Sequence, residues 1–148
     1  MEHTNIRTLP SSIWKLQKLQ KLYMNDIYRS KIVHLRKRNS LQNLQTLQGA
    51  FVDKDSPLID SMYKLINLTK LKMSFQLNLL QQEVLVEGLV KLALLESLKI
   101  KSIDEMGQPR DLKVNYLSHL ENLSRLYLFG KLENLSTIRT LHYQRLGF

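Results

Sequence analysis

Leucine recurs along the chain in a spaced phrase, L-x-x-L-x-x-L, that appears five times. In four of the five phrases a large apolar residue follows two positions after the third leucine. Side chains two residues apart lie on the same face of a β-strand. The pattern therefore predicts five short strands that each bury the third leucine and the residue two positions later. The third leucines are Leu22, Leu47, Leu71, Leu98 and Leu126.

The spacing between the phrases predicts the architecture. Successive third leucines are 25, 24, 27 and 28 residues apart, and periods of about 20–29 residues are typical of leucine-rich repeats. We therefore predict an α/β fold, a leucine-rich-repeat solenoid of about five repeats. Short parallel strands form its concave side, and helical or irregular segments return along the convex side. An all-helical bundle is disfavoured, because a helical stripe would continue at four and seven residues instead of breaking to two.

The end of the pattern predicts the domain boundary. Leu141 lies only 15 residues after Leu126, which is too short for a sixth repeat. We therefore assign residues 1–135 to the leucine-rich-repeat domain and residues 136–148 to a C-terminal tail or incomplete repeat. Because the pattern stops there, we expect the chain to be a fragment of a longer protein or a truncated gene product.

Several return segments have helix signals. Ser56 and Pro57 fit a helix start with proline in the first turn, and residues 102–111 indicate a loop because they contain glycine and proline among charged residues. Asn78 and Gln81 fit a variant of the capping box. Apolar residues then follow at helical spacing: Leu80, Val84, Gly88, Leu89 and Leu92.

Two departures from an ideal repeat predict local weakness. Gly49 stands where the other repeats have a large apolar residue, so we expect its strand to be weaker. No repeat has asparagine five residues after the third leucine. We therefore expect no ladder of side-chain amides at that position, and irregular turns.

Composition excludes several function classes. The chain has no cysteine, which excludes a disulfide framework, a thiolate zinc site and a cysteine nucleophile. The four histidines are far apart in sequence, and no phosphate-binding loop or nucleophile elbow occurs. We therefore predict no metal, no cofactor and no enzymatic activity. No apolar run reaches the roughly 18–20 residues of a membrane span, and we expect a cytoplasmic protein.

Three phrases resemble a known family. Residues 5–16 contain the pattern I-x-x-L-P-x-x-I-x-x-L. Residues 41–49 have the pattern L-x-N-L-Q-T-L-x-G, and residues 126–133 have the pattern L-x-L-x-G-K-L-E. On the basis of these three phrases, residues 4–135 resemble the leucine-rich-repeat region of plant nucleotide-binding disease-resistance proteins of the coiled-coil type. The resemblance implies a protein-recognition role in plant defence and innate immunity. The partners it implies are a pathogen effector, a host protein or the nucleotide-binding domain of a parent receptor.

The predicted strands place a basic face opposite the leucines. Of the fifteen side chains that alternate with the buried ones, six are basic and none is acidic. A surface of one sign suits an acidic partner. The candidate partner-binding residues are Lys21, Tyr23, Lys70, Lys72, Lys99, Lys101, Arg125, Tyr127 and Phe129. The other predicted face positions are Asn25, Thr46, Gln48, Ala50, Ser74 and Ser97.

Two further patterns leave alternatives open. A basic run between Arg29 and Arg38 fits either a nucleic-acid or nuclear-import patch or a solvated return segment. Three N-L-[ST] triplets, beginning at Asn67, Asn122 and Asn134, match the N-glycosylation pattern. We interpret them as products of the repeat. The competing functions are therefore a protein-recognition module, a basic nucleic-acid-binding protein and a truncated product without autonomous activity.

Overall fold

The computed structural model describes residues 18–24, 42–56, 58–113, 117–132 and 146–147. Within those residues, six strands form one parallel sheet in the order β1-β2-β3-β4-β6-β8. The strands are β1 Lys21–Tyr23, β2 Thr46–Asp53, β3 Lys70–Gln76, β4 Ser97–Ser102, β6 Arg125–Phe129 and β8 Leu146–Gly147. The predicted α/β leucine-rich-repeat architecture is confirmed.

The leucine phrases determine the strand register. In each of the five predicted strands the third leucine is the second residue, and these leucines are register partners from β1 to β6. A second row behind them contains Ala50, Met73, Ile100 and Leu128, all buried. Burying one such side chain contributes about 1.5–3 kcal/mol to stability. The stacked rows therefore form the continuous core that holds neighbouring repeats together.

A β-bulge at Gly49 overturns the expectation that this glycine takes a core position in the second strand. Gln48 pairs with Lys72 and Ala50 pairs with Met73, so Gly49 is an extra residue in β2. Its φ of 81° is in the left-handed region that favours glycine. The bulge moves Ala50, which we expected on the polar face, into the core, where it is 0% exposed. Strand β2 runs for eight residues and is the longest strand among the described residues, while its expected weakness stays a prediction.

Backbone carbonyls connect each repeat to the next. The carbonyl oxygens of Gln20, Gln45, Thr69 and Glu96 each accept two backbone N–H bonds from the start of the following strand. In the same turns, the Asn67 side-chain amide donates to the Gln42 carbonyl oxygen at 2.6 Å. The equivalent amide of Asn122 donates to Ala93 at 2.7 Å. The first two N-L-[ST] triplets are thus cross-repeat connectors, and side-chain amides link repeats from a position that the sequence analysis did not anticipate.

Helices cover the core after β2 and β3. Helix α1, Leu58–Ser61, continues into a 3₁₀ turn at Met62–Lys64; Pro57 lies outside the described residues. Helix α2, Leu79–Leu89, begins at Asn78 with the predicted capping box to Gln81. The prediction of its buried apolar face is wrong in part.

The buried side of α2 is offset from the predicted stripe. Leu80 and Val84 are 73% and 43% exposed, whereas Leu85, Val86 and Leu89 are buried. Apolar residues occur all round this helix, so spacing alone does not identify the buried side. Packing against the neighbouring elements determines which side of α2 is buried.

The described residues of the return after β4 form no α-helix. Ile103 and Pro109 form an isolated antiparallel bridge, and β5, Asp111–Leu112, pairs with β7, Lys131–Leu132, in a second two-stranded parallel sheet. A 3₁₀ turn follows at Leu117–His119. Gly130 connects the two sheets, since it stands between β6 and β7.

The sixth strand, β8, is an element that the leucine phrases did not predict. Leu146 pairs with Leu126 and Gly147 with Tyr127, parallel to β6. Leu146 follows Leu126 by 20 residues, which is at the short end of the repeat range of about 20–29 residues. Residues 133–145 lie outside the described residues, and the boundary at residue 135 stays a prediction.

Candidate functional site

The face of the main sheet opposite the leucine core, here called the open face, presents all nine candidate partner-binding residues. They alternate with buried neighbours along their strands, and each is exposed or half-buried. The register aligns them in three rows. The first row contains Lys21, Lys70 and Arg125; the second contains Tyr23, Lys72, Lys99 and Tyr127; the third contains Lys101 and Phe129.

The charges of the open face are of one sign at its centre. Lys72 and Lys99 are register partners on adjacent strands, which are about 4.8 Å apart. At that separation, like charges repel by about 0.9 kcal/mol even at the dielectric constant of water. In the described part of the chain neither lysine has a carboxylate partner. An acidic ligand would relieve this repulsion.

Aromatic rings stand at both ends of the central row. Tyr23 and Tyr127 are 39% and 44% exposed. The Lys99 ammonium lies 6.0 Å from the centroid of the Tyr127 ring, within the range of a cation–π contact. Exposed tyrosines beside basic residues are typical of the anchor positions of protein interfaces. The second row therefore offers a partner both aromatic contact area and positive charge.

A recess of about 180 Å³ lies on the open face beside the Gly49 bulge. Its lining consists of Met24, Gln48, Gly49, Lys72, Met73, Ser74, Lys99 and Lys101. Gly49 contributes only backbone to this lining, because it has no side chain. The sequence analysis missed the recess, although the signal was present. After Gly49 the apolar alternation resumes one residue late, at Ala50 and Val52.

Three other predicted face positions differ from expectation, and a fourth is not described. Thr46 and Ser74 lie on the open face but are only 5% and 2% exposed. Ala50 lies in the core because of the bulge, and Phe51 takes the face position opposite Ser74. Asn25 lies outside the described residues.

One acidic residue lies at the far end of the open face. Asp53 is the last residue of β2 and pairs with Gln76. Its carboxylate accepts hydrogen bonds from the Asp55 backbone and the Ser56 hydroxyl. These local turn contacts help to fix the Asp53 carboxylate at the end of β2.

The remaining candidate features lie elsewhere or outside the described residues. The basic run between Arg29 and Arg38 lies outside them. In the described ranges, no group of three or more histidine, aspartate or glutamate side chains is arranged to hold a metal ion. No helix in those ranges is long and apolar enough to cross a membrane.

The comparison with known families agrees with the fold. A family described as a leucine-rich repeat region matches residues 1–145, while no curated protein matches the sequence significantly. Leucine-rich repeats are in general non-enzymatic modules that bind other proteins. They do so through extended concave surfaces. Because the match covers nearly the whole sequence, the chain belongs to the leucine-rich repeat region family.

Proposed function

We propose that this protein is a non-enzymatic recognition module that binds an acidic protein surface through the open face. The observation that carries the proposal is the row of Lys72 and Lys99 flanked by Tyr23 and Tyr127. Basic groups of one sign accelerate association with an acidic partner and fix its orientation. The tyrosines supply contact area that the lysines lack.

The wider role that we propose is recognition within an intracellular plant immune receptor. Support comes from the three sequence phrases at residues 5–16, 41–49 and 126–133. In that role the chain acts in the cytoplasm. Its partner is a pathogen effector, a host protein or the nucleotide-binding domain of a parent receptor.

Charge reversal tests the binding face. We expect the variant K70E/K72E/K99E/K101E to lose binding to a fluorescein-labelled peptide of alternating glutamate and alanine residues, measured by fluorescence anisotropy. The matched control K54E/K64E/K91E/K131E has the same change in net charge and leaves the open face intact. We expect it to retain most of the binding. Equal loss in both variants would attribute binding to net charge alone and contradict the proposal.

Proximity labelling in plant leaf cells tests the wider role. A biotin ligase fused to the wild-type chain should label a defence-related partner that the open-face variant no longer labels and the control variant still labels. Identical sets from all three proteins would contradict it.

A second candidate function is binding of single-stranded nucleic acid. It is favoured by the same combination of basic side chains with exposed tyrosines, on which bases can stack. This function requires an affinity for RNA that falls linearly with the logarithm of salt concentration, with a slope close to the number of phosphates contacted. If the acidic peptide binds more weakly than RNA of equal charge at every salt concentration, this second function is preferred.

A further inference from the structure

The recess beside the Gly49 bulge differs chemically from the rest of the open face. Three of its lining residues are lysines on two adjacent strands, Lys72 on β3 and Lys99 and Lys101 on β4. Its other walls include the side chains of Met24 and Gln48 and the backbone of Gly49. Positive charge is thus gathered around a depression instead of being spread over a flat surface.

The register sets the spacing of the three lysines. Lys72 and Lys99 are direct partners, so their Cα atoms are about 4.8 Å apart. Lys101 follows Lys99 by two residues, about 6.6 Å along the strand. On strands this close together, the flexible stems of Lys72 and Lys99 allow both ammonium groups to approach one tetrahedral anion, and Lys101 lies beside them. The recess volume of about 180 Å³ leaves room for part of the side chain that carries the anion.

The charge of the cluster favours a phosphate monoester over a carboxylate. A phosphate monoester carries about −1.5 to −2 charges at neutral pH and offers three strong acceptor oxygens. A carboxylate carries a single negative charge and would leave one of the two positive charges of Lys72 and Lys99 uncompensated. A phosphate group therefore matches the two positive charges of Lys72 and Lys99, and its oxygens can accept charge-assisted hydrogen bonds from both ammonium groups.

We propose that this recess binds the phosphate group of a phosphorylated serine or threonine in an acidic segment of the protein partner. The proposal rests on the proposed function, since it assigns a specific ligand group to the same face. The half-buried side chains of Met24 and Phe129 adjoin the lysines and suit the apolar side chains of a peptide. A nucleic acid would instead require cations along a continuous track of phosphates.

Titration with inorganic phosphate and with O-phosphothreonine tests the recess without knowledge of the partner's sequence. We expect saturable shifts of the Gly49 and Lys99 amide signals in nuclear magnetic resonance spectra. In the double variant K72Q/K99Q the apparent affinity should fall by about tenfold or more, since both charge-assisted contacts are lost. The control K91Q/K131Q removes the same charge outside the recess and should keep the wild-type affinity. Neither double variant should be less stable than the wild type, because the four side chains are not part of the core and K72Q/K99Q also removes the repulsion between the two lysines.

A peptide comparison separates failure of this proposal from failure of the proposed function. An acidic peptide with a central phosphothreonine should bind more tightly than the same peptide with threonine or glutamate, and K72Q/K99Q should remove that preference. If the glutamate and phosphothreonine peptides bind equally well to the wild type, the phosphate proposal is overturned while acidic-protein recognition stands. If no acidic peptide binds and phosphate causes no saturable shift, both are overturned.

Two further arms test the source of the phosphate. Single-stranded RNA and vesicles containing a phosphoinositide are compared with the phosphopeptide at equal concentrations of phosphate. Tighter binding of either one, with the same dependence on Lys72 and Lys99, would overturn assignment of the recess to a phosphoprotein.

Discussion

The two segments that return the chain on either side of β4 differ in structure although the same leucine phrase follows each. Between Gln76 and Ser97 the chain forms the 11-residue helix α2. Between Ser102 and Arg125 it forms a bridged loop, β5 and a 3₁₀ turn. The strands on both sides nevertheless keep an unbroken register.

This difference indicates that the strands and the return segments obey separate constraints. The first return has a capping box at Asn78 and no proline, so a helix can begin and continue. The second has Gly107 and Pro109 in its first residues, which favour a turn. Each return only has to cover the apolar edge of its repeat. Either solution therefore preserves the leucine rows.

The buried side chain of Gln82 joins the two returns. Gln82 of α2 is 1% exposed, and its amide donates to the carbonyl oxygens of Leu77 and Asp111 at 3.1 and 2.9 Å. Its carbonyl oxygen accepts the Lys113 backbone N–H at 2.9 Å. Helix α2 and strand β5 are thus connected by hydrogen bonds from one buried residue. The Lys113–Glu83 ion pair lies beside them.

The largest expected effect is at Gly130, which packs against Arg110 and Leu112 of the second return. A β-carbon there would lie 2.8 Å from the Arg110 carbonyl oxygen and 2.9 Å from the Leu112 β-carbon. The φ of 151° adds strain for any other residue. We expect Gly130→Ala to lower the free energy of unfolding by about 2–4 kcal/mol through strain and overpacking, measured by urea denaturation.

Gly107 provides the matched control for this prediction. Its φ is also positive, at 79°, but a β-carbon there would meet nothing within 4 Å. Gly107→Ala should therefore cost only about 1–2 kcal/mol, the conformational part alone. Equal losses from the two substitutions would contradict the close approach of β5 to Gly130.

The next effect tests the connection between the two returns. Replacing Gln82 with methionine keeps its size but leaves the Lys113 N–H and the Leu77 carbonyl without this partner. We expect a loss of about 2–3 kcal/mol, because buried polar groups would be left unsatisfied. Hydrogen exchange should also become faster in both returns. The same change at the exposed residue Gln45 should alter stability by less than about 0.5 kcal/mol, and a similar loss at both sites would refute the special role of Gln82.

The parts of the fold that were predictable from sequence depend on local signals. The period-two break after each leucine phrase identified five strands, and the Asn78–Gln81 box identified the start of α2. The pairing of β5 with β7 and the role of Gln82 depend on partners about 20–30 residues away. No local pattern encodes those partners.

The candidate site divides in the same way. Alternation within strands placed all nine candidate residues on the open face. The recess and the displacement of Ala50 were not predicted, because one inserted residue at Gly49 reverses the face of every later residue in β2. Such a bulge is visible only when the apolar positions of β2 are compared with those of β3.

A moderate effect is expected at the start of the helical return. The Asn78 side chain accepts a hydrogen bond from the Gln81 backbone N–H at 2.8 Å. Asn78→Ala should destabilise the protein by about 1 kcal/mol and reduce helical ellipticity, because the helix loses its cap. Asn78→Asp keeps an acceptor and should remain close to the wild type. A substantial loss with aspartate as well would show that the cap does not determine the helical path of this return.

The smallest expected effect tests whether the connection between repeats is independent of the type of return. Asn67 precedes β3 and Asn122 precedes β6, yet their amides make the same bond to a carbonyl of the preceding repeat. We expect Asn67→Ala and Asn122→Ala each to cost about 0.5–1 kcal/mol, the usual net value of one hydrogen bond, in urea denaturation. Thr69 and Ser124 hydroxyls also donate to the same turns and limit the loss. Aspartate at either position would replace the amide N–H donor with a negatively charged carboxylate facing a carbonyl oxygen. It should therefore lower the free energy of unfolding by more than alanine does. If one alanine variant were far more damaging than the other, stability would depend on the return that each repeat carries, and the separation between strands and returns would fail.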